Sequence, residues 1–415
     1  MKRRQALIGI AGTVALNGAF TQALAQKGEV VIGVIYPLTG SSAQVGVDSK
    51  HAIDTALEII NTASTLDLPG ARNAGLAGLG NAKVRVVYAD HQGDPQKGRS
   101  EAERLITQEN VCTIVGAFHS AVSATVSATC ERYEVPYLCA DSSSPSLSRR
   151  GLKYFFRTSA HDEMFSEAMF DFMDAMKGKG KPIGSVGIFY EDTIFGTDSS
   201  AVQRKLANER GYKIACDIKY RANSPSLSAE AQQIKTANPD VLLPSSYTSD
   251  AILLTNAMAS IGYKPKNLVT QAAGYIEKPT LESVGDKLQG MISRASFSAD
   301  MGDKRPSAKA VNDMFKARAG RDLNDQTSRV FTAMMVLAEA IDRARSVEPK
   351  KIREALVATD IPGEKTIMPW KRVKFDATGQ NTFASPVLIQ FKAGKFSTVF
   401  PFEVATATPV WPMNP

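Results

Sequence analysis

Residues 30–46, VVIGVIYPLTGSSAQVG, decide the fold. The run from Val30 to Tyr36 is apolar and β-branched with no polar alternation, so the strand it predicts is buried on both faces, as in parallel sheets. Pro37 and Gly40 stop the run, and a helical pattern over 45–62 follows. Strands are then expected at 84–88, 112–116 and 135–139, with helices near 95–108 and 121–132 between them. Strands alternating with helices in this way make a doubly wound α/β unit. The pattern restarts after residue 158 with helix and strand signals from 163 to 271. A strand at 290–297, three helical stretches (306–319, 326–345, 349–358) and late strands at 373–375, 387–391 and 395–400 complete the chain. The expected fold class is α/β, two doubly wound lobes joined by a multi-strand hinge. Lobe 1 is expected from 27–159 plus 290–369, and lobe 2 from 160–289 plus 370–415.

Composition narrows the function class. At 415 residues and 43% hydrophobic content the chain can bury a large core, and its length suggests two domains. Residues 330–337 (VFTAMMVL) form the longest late apolar run but lead into Glu339, Asp342 and Arg343, so they read as one apolar face of a helix in a water-exposed protein. The first 26 residues combine Lys2, Arg3 and Arg4, a short apolar segment and Ala-Leu-Ala, the three parts of a secretory signal cleaved after Ala25. Both a Sec and a twin-arginine signal fit. No cysteine precedes Cys112, so no acyl anchor is expected at the processed end, and the mature chain is expected free in the periplasm. Removing Lys2, Arg3 and Arg4 lowers the net charge from +7 to +4 (7 − 3), with basic residues dispersed among acids. That is a solvated surface, and no nucleic-acid partner is expected.

The motifs argue against most catalytic classes. Gly75, Gly78 and Gly80 precede a strand, whereas a phosphate-binding loop must follow a strand and open a helix. His51, His91, His119 and His161 show no metal spacing, so no metal or cofactor is expected. Neither a G-x-S-x-G elbow nor a P-loop occurs. Four cysteines in an oxidising compartment allow a Cys112–Cys130 disulfide, since both are expected at the same end of the first lobe; four buried thiols are the alternative. What stands out is hydroxyl density past the carboxyl ends of two adjacent strands, at 117–120 (AFHS) and 140–145 (ADSSSP). Open α/β sheets bind ligands there, and hydroxyls beside helix N-termini can hold a carboxylate. The same serines could instead cap helices.

The strings VVIGVIYPLTGSSAQVG (30–46), VVYADHQGDPQKG (86–98), IVGAFHS (114–120), VPYLCADSSSPSLSRRG (135–151) and YFFRTSAHD (154–162) cover the first lobe in order. IFYEDTIFG (188–196) and NPDVLLPSSYTSDA (238–251) extend the series into the second. Together they resemble the leucine/isoleucine/valine-binding type of periplasmic solute-binding protein that serves ABC importers. The resemblance implies a non-enzymatic, monomeric protein that hands a small ligand to a membrane permease. It implies ligand contacts at His119 and Ser120, at Asp141, Ser142 and Ser143, at Phe195 and Tyr247 from the second lobe, and at Ala273, Gly274 and Tyr275. In amino-acid binders of this type an acid stands where Ala273 falls. The usual ammonium partner is thus missing, with Asp162 or Asp141 as substitutes, and an aliphatic or aromatic carboxylate or an amide suits such a pocket. The rival readings are an exported α/β hydrolase or amidase, which would need Ser120 beside a His–acid pair, and a ligand-sensing receptor module.

Overall fold

The computed structural model describes residues 28–414, so the expected export signal lies outside the described residues. Strand β1 (Glu29–Tyr36) is buried along its length after Glu29. Val30, Ile32, Val34 and Tyr36 enter one hydrophobic cluster while Val31 and Ile35 enter another on the opposite face. A strand covered on both sides has no solvent face to alternate with, which explains the unbroken apolar run. Gly33 keeps β1 close to its surroundings: a Cβ there would meet Ile114, Leu105 and Val111 at 3.1–3.2 Å.

Around β1, strands β2 (Lys83–Asp90), β3 (Ile114–Gly116), β4 (Tyr137–Cys139) and β5 (Phe155–Arg157) form a parallel sheet in the order β2-β1-β3-β4-β5. Helices α1 (Ala43–Asn61), α2 (Pro95–Thr107) and α3 (Ser120–Arg132) make the crossovers. Strand order reverses between β1 and β3, so the loops leaving their carboxyl ends diverge and open a crevice.

The second lobe repeats the plan. Helix α4 (Asp162–Gly178) leads into β6 (Ser185–Glu191), α5 (Ile194–Glu209), β7 (Lys213–Tyr220), α6 (Ser228–Ala237), β8 (Val241–Ser245), α7 (Thr248–Ser260), β9 (Val269–Thr270), α8 (Lys278–Val284) and β10 (Ile292–Ala295). Strands pair in the order β7-β6-β8, and a Leu242–Leu268 bridge continues the sheet toward β9 and β10.

The chain then returns to the first lobe through α9 (Pro306–Ala319), α10 (Asp325–Ala344), α11 (Pro349–Val357) and the small antiparallel pair β11 (Asp360–Pro362) and β12 (Arg372–Lys374). It ends in the second lobe, where β13 (Val387–Lys392) pairs with β10 and with β14 (Lys395–Phe400). Two expected lobe boundaries therefore move. Residues 292–295 belong to the second sheet, because β10 pairs with β9 and β13. Trp370, Val373, Phe375 and Ala384 stay in the first lobe's core, so the last crossing falls between Ala384 and Val387.

Two further expectations are corrected. Residues 330–337 do not show a single apolar face. Val330 to Leu337 are all buried, since α10 packs against α1, α11 and the strands β3 and β4. An Asn324–Thr327 capping box starts this helix. The Cys112–Cys130 disulfide is not formed; all four cysteines are free. Cys112 packs in the cluster shared with α10, its thiol donating to the Val31 carbonyl at 3.3 Å. Cys130 lies in the cluster on the other face of the sheet, so the strand layer separates the two sulfurs.

Candidate functional site

The loop after β3 carries the first part of the site. Phe118 adopts φ +71°, an uncommon conformation for a side-chain-bearing residue, and its backbone is held by the loop after β4. Asp141 Oδ1 accepts from Phe118 N–H at 3.0 Å, and Ser142 Oγ donates to the Phe118 carbonyl at 2.9 Å. Asp141 Oδ2 accepts from Gln326 Nε2 at 2.8 Å, and Ser142 Oγ also bonds Ser123 Oγ at 2.6 Å. Both expected ligand residues are thus engaged in building the neighbouring loop, with no side-chain oxygen left over for a ligand. His91 supports the same turn from below. Its Nδ1 accepts from Gly93 N–H and its Nε2 donates to the Ala117 carbonyl, each at 2.9 Å, which fixes the neutral tautomer. Burial pushes His91 down to about 4.

His119 and Ser120 open α3. His119 is the N-cap residue and Ser120 the first of the helix, so the Ser120 hydroxyl does not cap it. Its Oγ is buried and makes no hydrogen bond among the described residues. His119 Nε2 faces Ser42 Oγ at 3.3 Å, so the adjacent serine and histidine are not a nucleophile–base pair. Burial, with His91 nearby, pushes His119 down to about 3.

Across the crevice stands Tyr247, the last residue before α7. Its ring packs against His119 at 4.6 Å, Phe118 at 5.4 Å and Phe195 at 5.1 Å between centroids. Residues of the two lobes therefore share one site. Phe195 is positioned by Glu191, whose carboxylate accepts from Thr193 N–H at 2.6 Å and Gly196 N–H at 2.8 Å and so anchors the start of α5. Ser144 reaches the same helix by bonding Asp198, and Ser41 meets Asn223 at 3.4 Å.

The segment after β9 is strained. Ala272 and Ala273 have φ +52° and +43°, and Ala273 is buried with no acid in its place. Gly274 is required by close approach: a Cβ would lie 2.3 Å from the Tyr247 carbonyl carbon and 2.4 Å from Thr248 N. Its role is to seat Tyr247. Tyr275 is not brought to the crevice; its ring belongs to the second lobe's core with Phe189, Leu254 and Met258.

Five charged residues meet at the lobe junction. Asp162, at the start of α4, is fully buried with neither carboxylate oxygen hydrogen-bonded among the described residues. Burial raises it to about 6 against the pull of Arg294. Ser143 Oγ lies 3.4 Å from Arg294 Nη2. Arg294 in turn binds Asp325 Oδ2 at 3.0 Å, and Arg329 binds the same oxygen at 2.8 Å. Glu277 faces Asn324 at 3.5 Å, its Oε1 unpartnered among the described residues, and is raised to about 8 by burial and by Asp325. Sequence reasoning missed Arg294 and Glu277. For Arg294 a signal existed, the lone charge inside the strand expected at 290–297; for Glu277 none did.

Among the described residues no cluster of three His, Cys, Asp or Glu gathers to hold a metal ion, and no helix is long and apolar enough to cross a membrane. Residues 29–394 match the family model for periplasmic binding proteins. Leu/Ile/Val-binding protein homolog 8 of Brucella suis is 28% identical over 417 residues, covering 98% of both chains. A leucine binding protein of Thermotoga maritima superposes with a TM-score of 0.76 at 22% identity, over 90% of this chain and 99% of that one. A solute binding protein of R. palustris, crystallised in complex with benzoate, superposes with a TM-score of 0.74 at 16% identity, over 93% and 99%.

Proposed function

The chain belongs to the periplasmic binding protein family, and from that premise we propose that it is an exported, monomeric solute-binding protein that captures a small organic carboxylate, amino acid-like or otherwise, between its lobes and delivers it to the permease of an ABC importer. One observation carries the reading: the Tyr247 ring of the second lobe packs on His119, the N-cap residue of α3 in the first, beside the unpartnered hydroxyl of Ser120. A helix N-terminus with a buried hydroxyl favours an anionic group. Support for a small organic ligand also comes from relatives named for leucine, isoleucine and valine and from one bound to benzoate.

Three chain crossings join the lobes, near residues 160, 297 and 385, a connection that permits hinge closure. A ligand favours the closed arrangement only by the difference in its affinity for the closed and open forms, and no bond need be made or broken. The permease then reads lobe geometry. The test is a thermal-shift screen of carboxylates, amino acids, amides and aromatic acids. A ligand at 100 times its Kd adds about 2.7 kcal/mol of stability, and a screen in which no carboxylate shifts the melting point overturns the proposal.

A further inference from the structure

Arg294 lies on β10 at the lobe junction, beside Ser143 of the first lobe, and is 2% exposed. A buried guanidinium is stable only when its donors are matched. Its terminal Nη1 is matched by Asp325 Oδ2 at 3.0 Å, and its face is covered by the Phe165 ring, 3.9 Å from the centroid. Its other edge is not. Nε has no hydrogen-bond partner among the described residues, and Nη2 has only Ser143 Oγ at 3.4 Å, with Asp162 Oδ1 at 3.9 Å beyond hydrogen-bond reach. Nε–H and Nη2–H point the same way and are spaced for the two oxygens of one carboxylate.

We propose that the Nε–Nη2 edge of Arg294 is the charged anchor for the ligand's carboxylate, with Ser143 Oγ as an added donor at the same edge. The inference rests on the solute-binding reading and specifies which residue selects an acid. Asp325 and Phe165 hold the guanidinium from the sides the ligand does not use, so the fork is oriented in advance. Asp162, whose Oδ1 lies 3.9 Å from Nη2 and whose oxygens make no hydrogen bond among the described residues, stands at the same edge for a donor group on the same ligand. A neutral amide in place of the carboxylate offers this edge one acceptor oxygen and no charge. Selection of acid over amide is therefore the property that Arg294 controls.

The experiment compares acids with their primary amides. L-leucine and leucinamide, 4-methylpentanoate and 4-methylpentanamide, and benzoate and benzamide are titrated by calorimetry into the wild type, Arg294→Lys and Ser120→Ala. Lysine keeps the positive charge for Asp325 and lacks the fork. For whichever acid binds the wild type, Arg294→Lys is expected to reduce the acid-to-amide preference at least 10-fold, the smaller of the effects that a lost charge-assisted bond produces. Loss of affinity for acid and amide in equal proportion would assign Arg294 a structural role and overturn the inference. Should the lysine variant not fold, the wild type suffices: the Arg294 Nε–H resonance, selectively labelled, shifts on adding the bound acid and stays in place with its amide. A resonance unmoved by a bound acid also overturns the inference. Where another carboxylate of the thermal-shift screen binds instead, it and its amide take the place of these pairs; if no carboxylate binds the wild type, the carboxylate reading itself falls, an outcome distinct from acid binding that ignores Arg294.

Discussion

Glu277→Gln tests the electrostatics of the lobe junction. The Glu277 carboxyl is raised from an ordinary 4.5 to about 8, first by burial and then by repulsion from Asp325. A raised carboxyl holds its proton in the folded chain where the unfolded chain has lost it. Its contribution is therefore complete at low pH and is lost as pH climbs from about 4.5 toward 8. One pH unit in that window corresponds to about 1.4 kcal/mol. Relative to the glutamine variant, the wild type should lose about 3 kcal/mol by pH 7 and about 4 kcal/mol by pH 8, against almost nothing near pH 4.5. Glutamine keeps the shape and an acceptor for Asn324 without the charge. Equilibrium urea unfolding of both proteins at about pH 5, 6, 7 and 8 measures the difference directly. Asp162, raised to about 6, has the same sign but is present in both proteins and cancels. A stability difference that does not change with pH would show that Glu277 is ionised in the folded chain and refute the reasoning.

Other outcomes follow from the same geometry. Ser120→Ala should weaken ligand binding by about 1.5–3 kcal/mol and leave the melting point nearly unchanged, because the hydroxyl caps nothing; a lowered melting point with intact affinity would point to a helix-stabilising role. Gly274→Ala forces a methyl against the Tyr247–Thr248 backbone and should lower stability by about 1–3 kcal/mol while reducing affinity through displacement of Tyr247; wild-type behaviour in both respects would contradict the close approach. Under denaturing, non-reducing conditions all four cysteines should alkylate quantitatively, and recovery of a linked Cys112/Cys130 peptide pair would reverse that assignment.

The strand at 30–36 was legible because a parallel strand buried on both faces must be apolar throughout, and the loops at its carboxyl end follow from the sheet's order. Lobe boundaries were less legible, since β10 and the segment around Trp370 differ from their neighbours only in what they pair with. Within the site, Ser120 and Tyr247 could be placed because each sits one loop beyond a readable strand. Asp141 and Ser142 could be located in sequence, but their hydrogen bonds to the Phe118 backbone depend on a left-handed residue that composition does not announce. Tyr275 misled for a related reason. The turn after β9 runs through two alanines of positive φ, which directs the next aromatic ring into the core.

The three crossings also govern how the molecule is made. Val34 of β1 and Val336 of α10 share one core although on the order of 300 residues separate them, and such distant contacts are late and slow to form. The second core is no earlier, since it includes Leu388, Val399 and Trp411. In chain order the first lobe's core closes with Ala384, whereas the second still needs Leu388, Val399 and Trp411. Truncating the last 30 or so residues should therefore remove β13 and β14 and leave the second lobe unfinished for chaperones to hold, with the sequence of the first lobe's core intact.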